Sequence, residues 1–231
     1  MIIWKGKSKA TGAPIAVHLT NVSGVQRATK NPKIGAMSQA WILPASQDPH
    51  TATKTGLDKA VCFSCSHRPK VAQTEGEASC YVTTHRAPLQ IYKAAKGART
   101  VHVSTLRENL QKLPLRIGAY GDPAAVPVHI WNTLLSYVPG HTSYTQQWKS
   151  QPYLRRVAMA STTTPAETRT AWKKGWRTFR TKAADEPVLQ GEIVCPASKE
   201  AGHKTTCSEC LLCNGAVGRY DRRNSIVIDR H

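Results

Sequence analysis

The chain has 231 residues, 32 of them Lys or Arg and 14 Asp or Glu, for a net charge of +18 near neutral pH. That length buries a substantial core, and 40% apolar with 20% charged residues excludes a disordered tail or a coiled coil. No apolar run approaches a membrane span, and the apolar part of Met1–Lys7 is too short for a secretory signal, so a cytoplasmic protein without a membrane partner is expected.

Taken in chain order, Gln39–Leu43 is a short apolar run stopped by Pro44, as a buried strand is. Asp48 and Pro49 begin a helix-like stretch through Lys59 and Ala60 that delivers the chain to Cys62. Pro88–Ala98 repeats the helical period, with Gly97 near its end. Leu115–Ala119 reads as a strand, turned by Tyr120–Pro123. Pro127 opens a helix with Ile130, Trp131, Leu134, Leu135 and Val138 on one face, and Pro139-Gly140 ends it. Arg155–Ala160 is strand-like, and Thr164-Pro165 has the form of a capped helix start running to Lys174. Trp176–Arg180 alternates as a strand, Ile193-Val194 lead into Cys195, and Ser225–Ile228 is a last apolar strand. Strands alternating with helices predict a single α/β domain over residues 1–231 with parallel pairing, built as a partial or small β/α barrel with Cys-rich metal-binding loops.

Seven cysteines cannot pair off completely, and in a reducing compartment clustered cysteines read as metal ligands. Cys195, Cys207, Cys210 and Cys213 form the C-terminal group, a metal-binding segment at 195–213 whose two-residue spacings let thiolates converge on one ion. Four thiolates suit zinc, and the same spacing suits an iron–sulfur cluster. Cys62, Cys65 and Cys80 form the N-terminal group. His67 is its nearest candidate for a fourth ligand, with His50 and His85 also in reach along the chain. Three thiolates alone would leave an open position, which is what metal chemistry requires.

In parallel β/α folds reactive groups gather at the carboxyl ends of strands. Asp122 is the candidate catalytic residue on that ground, and Gly121, Asp122 and Ser161 are the candidate cofactor-binding positions. Tyr144–Trp148 forms an aromatic and amide cluster nearby. Residues 1–47 and 168–184 contain no acid, and Arg169, Lys173, Lys174, Arg177, Arg180 and Lys182 interleave with Trp172, Trp176 and Phe179. Cations among aromatics are the mixture that tracks phosphates and stacks on bases, so nucleic acid is the expected partner.

Several blocks also resemble an uncharacterised family of bacteriophage proteins: Trp4–Lys7, Cys62-x-x-Cys65-x-His67-Arg68-Pro69, Cys80–Val82, Leu115–Pro127, Gly175–Arg180 and Cys195–Cys213. More distantly, Cys80-Tyr81 and Gly121-Asp122 resemble positions in the actinobacteriophage gene product 88 group and in radical S-adenosylmethionine proteins. The cysteine spacing departs from the usual C-x-x-x-C-x-x-C of those enzymes, with two and then fourteen intervening residues. The resemblance implies a barrel-like fold, host-cell cytoplasm as location, an iron–sulfur cluster and S-adenosylmethionine as cofactors, and a radical-type reaction. The other function open to the residues is a zinc-stabilised nucleic-acid-binding protein without catalysis.

Overall fold

The computed structural model describes residues 1–22, 32–68, 80–218 and 220–230. Strands β1 (Ile2–Lys7) and β2 (Pro14–Thr20) form an antiparallel hairpin. Its turn is fastened by Ser8 Oγ, which accepts from Ala10 N at 2.9 Å and donates to Ala60 O. Strand β3 (Ser38–Pro44) pairs antiparallel with β2 and is buried at every residue, as the apolar run from Ala40 to Leu43 leads one to expect. Helix α1 (Pro49–Thr55) is capped by Asp48, whose carboxylate accepts from His50 N and Thr51 N at 3.0 Å. Gly56, at φ 84°, ends that helix, so the continuous helix expected through Ala60 is broken and α2 (Lys59–Cys62) starts afresh.

Helices α3 (Ala87–Ala94) and α4 (Arg107–Leu110) lead to β4 (Leu115–Tyr120), which pairs parallel with β3. Helix α5 (Val128–Leu135) follows, buried through Trp131 and Leu134, and β5 (His141–Thr142) pairs parallel with β4. The first sheet therefore runs β1-β2-β3-β4-β5.

The second sheet comprises β6 (Tyr144–Thr145), β7 (Met159–Thr162), β8 (Thr178–Lys182), β9 (Glu192–Val194) and β10 (Ser225–Asp229). Its order is β6-β7-β8-β10-β9, parallel throughout, with α6 (Pro165–Lys173) between β7 and β8 and α7 (Cys207–Cys210) between β9 and β10. Only Ser143 separates β5 from β6, so one extended segment ends the first sheet and begins the second. The architecture is α/β with a mixed and a parallel sheet, and neither sheet closes into a barrel. No helix among the described residues is long and apolar enough to cross a membrane.

Two expected strands start later than their sequence patterns suggest. Pro152 opens a short helical turn over Pro152–Arg156, which displaces the strand expected at 155–160 to β7. Trp176 N still bonds Ala171 O at the end of α6, so the strand expected at 176–180 begins at Thr178. The β1–β2 hairpin has no counterpart in the sequence reading.

The main core gathers Ile15, Val17, Ile42, Leu115, Ile117, Trp131, Leu154, Ala160 and Ala171. A second buried cluster joins Met159, Ile226 and Ile228 to Cys195, Ala197 and Cys213, with Tyr144 and Phe179 against it. Adjacent residues Met159 and Ala160 fall in different clusters, and successive strand residues face opposite sides of a sheet. The parallel sheet is thus covered on both faces, one of them by the cysteine-rich segment.

Candidate functional site

The C-terminal cysteines are assembled by three local devices. Cys195 follows β9 in a turn closed by Ser198 N donating to Cys195 O at 2.9 Å. Thr206 and Glu209 form a capping box that starts α7. Cys207 N and Ser208 N donate to Lys33 O and Ile34 O at 2.8 and 3.0 Å, and this docks the helix on the segment before β3. Gly35 has φ 70°, and a Cβ there would crowd Ser208 Oγ and lie 2.9 Å from Thr206 Cβ, so glycine suits that approach.

The result is a small cavity of about 10 Å³, lined by Cys195, Cys207, Cys210 and Cys213 together with Thr142 and Ile226. That is room for about one water-sized occupant. Burial raises the thiol pKa values of Cys195 and Cys207 and pushes Cys213 up to about 12, with the neighbouring sulfurs acting in the same direction. Lys33 opposes the shift at Cys195 and Cys207, and Arg116 opposes it at Cys207. Two cations beside a four-sulfur set are a favourable setting for thiolates. Among the described residues no group of three or more Cys, His, Asp or Glu side chains already has the geometry to hold a metal ion. Neutral thiols have no reason to converge, since ligation requires them to lose their protons and close on an ion.

Cys62 ends α2, and Cys65 N donates back to Cys62 O at 3.1 Å, a tight turn between the two thiols. Cys80 returns to the same place, its N–H bonding His67 O at 3.1 Å. Burial raises Cys62 well above its ordinary value, Cys65 and then Asp58 adding to the effect and Cys80 and Asp122 contributing less; Cys65 is pushed up to about 11, mainly by burial. Backbone bonds thus bring the three cysteine segments together, and Asp122 N bonds Val61 O next to Cys62. His67 lies in the same turn, with its pKa lowered first by burial. His50 bonds Thr84 Oγ1 at 3.3 Å and meets His85 edge-on with ring centroids 5.7 Å apart. Pro69 of the motif lies outside the described residues.

Arg68 holds this loop rigid. It is buried, forks onto Asp58 with bonds of 2.7 and 2.6 Å, and donates to Phe63 O at 2.6 Å. A planar guanidinium matched to a carboxylate in this way fixes geometry as well as charge.

Asp122 follows β4 and is buried. Its Oδ1 accepts from Ala124 N at 2.9 Å and Thr145 Oγ1 at 2.7 Å, and its Oδ2 from Gln146 N at 2.8 Å. Desolvation nevertheless raises its pKa to about 6 against these bonds. Gln146 Nε2 donates to Ser161 Oγ at 2.8 Å, so two of the cofactor positions expected from sequence, Asp122 and Ser161, are joined through one glutamine. The third, Gly121, has φ 84°, and a Cβ there would lie 2.8 Å from Ile42 Cβ and Ile42 O. Asp122 N bonds Val61 O at 2.7 Å and ties this strand end to the helix that carries Cys62.

The basic stretch at 169–182 does not form one face. Arg169 and Lys173 on α6, and Lys174 at its C-cap, are exposed. Arg180 is wholly buried and forks onto Glu192 with two bonds of 2.8 Å. Lys182 is buried and pairs with Asp229 at 2.6 Å. Arg177 is buried and donates to Leu212 O at 2.6 Å and Asn224 O at 2.7 Å. Strand alternation turns Arg180 and Lys182 inward onto carboxylates, Arg177 is buried just before the strand against carbonyls, and Trp176 packs in the core. As nucleic-acid contacts, Arg180 and Lys182, committed to Glu192 and Asp229, are thereby corrected to structural residues.

Arg68, Arg116, Thr145 and Gln146 are the participants that the sequence pattern left without a role. Their partners are separated by 10 to 35 residues along the chain, beyond the reach of local spacing. No protein-family model, no curated protein and no solved structure matches the chain.

Proposed function

We propose that the protein is a two-centre metalloprotein whose N-terminal cysteines hold a reactive iron–sulfur cluster and whose C-terminal cysteines hold a structural zinc ion. The observation that carries it is the backbone bonding that brings the Cys62, Cys65 and Cys80 segments together, with Asp122 N tied to Val61 O beside Cys62 at the carboxyl end of β4. The parallel order β3-β4-β5 and β6-β7-β8-β10, with its two halves joined through Ser143, supports an open β/α half-barrel around that end.

The donor sets fit the two groups differently. Three thiols free of disulfides suit a cluster that keeps one iron open. Four thiols around a cavity of about 10 Å³ suit a single ion better than a cluster of several irons and sulfides. When bound, the cluster supplies an open iron and one-electron reduction, the means by which radical enzymes use S-adenosylmethionine. The protein's own part is positional. The Arg68–Asp58 fork fixes the cysteine loop, while Asp122 joins the strand ends through Thr145 and Gln146 and leaves Ser161 tied beside them. Asp122 acts here as a positioning residue.

Electron paramagnetic resonance of the anaerobically reduced protein, with and without S-adenosylmethionine, tests the reading. A cluster signal that changes on adding the cofactor is expected, and its loss in Cys80→Ser. A protein without an iron signal under these conditions overturns it.

A second reading, a nucleic-acid-binding protein held by zinc, is favoured by the net charge of +18 and the exposed Arg169, Lys173 and Lys174. Binding that weakens steeply with added salt supports it, and the absence of binding at low ionic strength removes it.

A further inference from the structure

At the amino ends of β8, β9 and β10, away from Gly121 and Asp122, lies a cavity of about 240 Å³. Its lining includes Trp172, Arg177, Arg222, Arg223 and Ser225, with Asp221 as the acid. The volume is just below the range of about 300–1,000 Å³ usual for small-molecule sites, enough for a ligand of modest size.

The charges in this wall do not balance. Arg223 forks onto Asp221, with Nε 2.9 Å from Oδ1, so the one carboxylate is already engaged. Arg177 is 3% exposed, yet its guanidinium donates to neutral acceptors: Leu212 O, Asn214 O, Asn214 Oδ1 and Asn224 O. Its Nε is buried with no hydrogen-bond partner. A buried cation without a carboxylate on it is costly, and an anion in the adjoining cavity would offset that cost. Arg222, exposed at the same wall, adds another positive charge. Beside these cations stands Trp172, half-buried, its Nε1 donating to Thr178 Oγ1 at 3.1 Å and Ser225 Oγ at 2.9 Å, so the indole plane is held in place. A fixed indole is a stacking platform for a base.

We infer that this cavity binds one nucleoside monophosphate unit, the phosphate toward Arg177 and Arg222 and the base against Trp172. Free mononucleotide and the phosphorylated end of a single strand offer the same chemistry. The inference does not rest on either metal centre.

Tryptophan fluorescence of the full chain, titrated with adenosine monophosphate, adenosine and a 5′-phosphorylated single-stranded oligonucleotide, tests it. The phosphorylated probes should bind about tenfold or more tightly than adenosine, as charge-assisted bonds to arginine require. Arg222→Glu, an exposed change that leaves the fold intact, should lose about tenfold of that affinity. A preference for the strand or for the free nucleotide supports the site and identifies its source. Equal affinity for adenosine and its monophosphate, no binding of either phosphorylated probe, or full affinity in Arg222→Glu overturns it. Arg177→Lys, which keeps the charge but loses the fork, provides a second variant, checked for native circular dichroism before titration.

Discussion

Thr145 donates its hydroxyl proton to Asp122 across 2.7 Å, and this bond joins the end of β4 to the end of β6. The two sheets meet through the single residue Ser143, so the bond fastens the junction on which both halves depend. Thr145→Val removes the donor and leaves a buried carboxylate short of one partner. A loss of about 1–3 kcal/mol in urea unfolding is expected.

Asp122 also sets a pH dependence. Burial disfavours its charge and raises its pKa from the ordinary 3.8 to about 6 in the folded state. Between those values the folded state holds more protons than the unfolded state, so stability falls as pH rises through the window and levels off above it. The gap corresponds to about 3 kcal/mol. Asp122→Asn should be less stable, from its misplaced amide donor, and flatter in this range. Urea midpoints from pH 4 to 7 measure both effects.

Removing Arg180 exposes the cost of an unpaired buried ion. Arg180→Met leaves Glu192 buried without its partner, and breaking such a pair costs about 3–5 kcal/mol. Thermal unfolding should register a drop of about 2–4 °C for each kcal/mol lost. Unchanged stability would contradict the inward placement of this side chain.

The exposed and buried members of the basic stretch separate in salt titrations. Replacing Arg169, Lys173 or Lys174 by Gln should reduce the dependence of log affinity on log salt for DNA by about 0.7–0.9 per residue contacting phosphate. Lys182→Gln should leave that slope unchanged, because its ammonium is committed to Asp229.

Metal uptake by the C-terminal site should strengthen with pH. Cys213 is protonated in the metal-free chain, its thiol held up to about 12, so binding releases protons and acid opposes it. Zinc competition measured from pH 6 to 8 should show rising affinity, with Cys207→Ser weakened throughout.

The elements legible in the sequence were those with strong local signals: the unbroken apolar run of β3, the Thr164-Pro165 start of α6, and β4 with its turn at Asp122. The β1–β2 hairpin escaped because its residues, Lys5 and His18 among them, mix polar and apolar types and its register depends on β3. The lining of one small cavity by Cys195, Cys207, Cys210 and Cys213 follows their short spacings, whereas Cys80 reaches the Cys65 loop only through the Cys80 N to His67 O bond. The inward turn of Arg177, Arg180 and Lys182 could not, because their partners Leu212, Glu192 and Asp229 lie elsewhere in the chain. A basic residue among aromatics looks the same in sequence whether it faces solvent or a buried carboxylate.

The most direct test of the two-centre account is metal and acid-labile sulfide analysis of the full chain purified anaerobically, alongside a Cys62→Ser/Cys65→Ser/Cys80→Ser variant. The account predicts iron, sulfide and zinc in the native protein, with iron and sulfide lost and zinc retained in the variant. Zinc alone in both proteins, without sulfide, would contradict it.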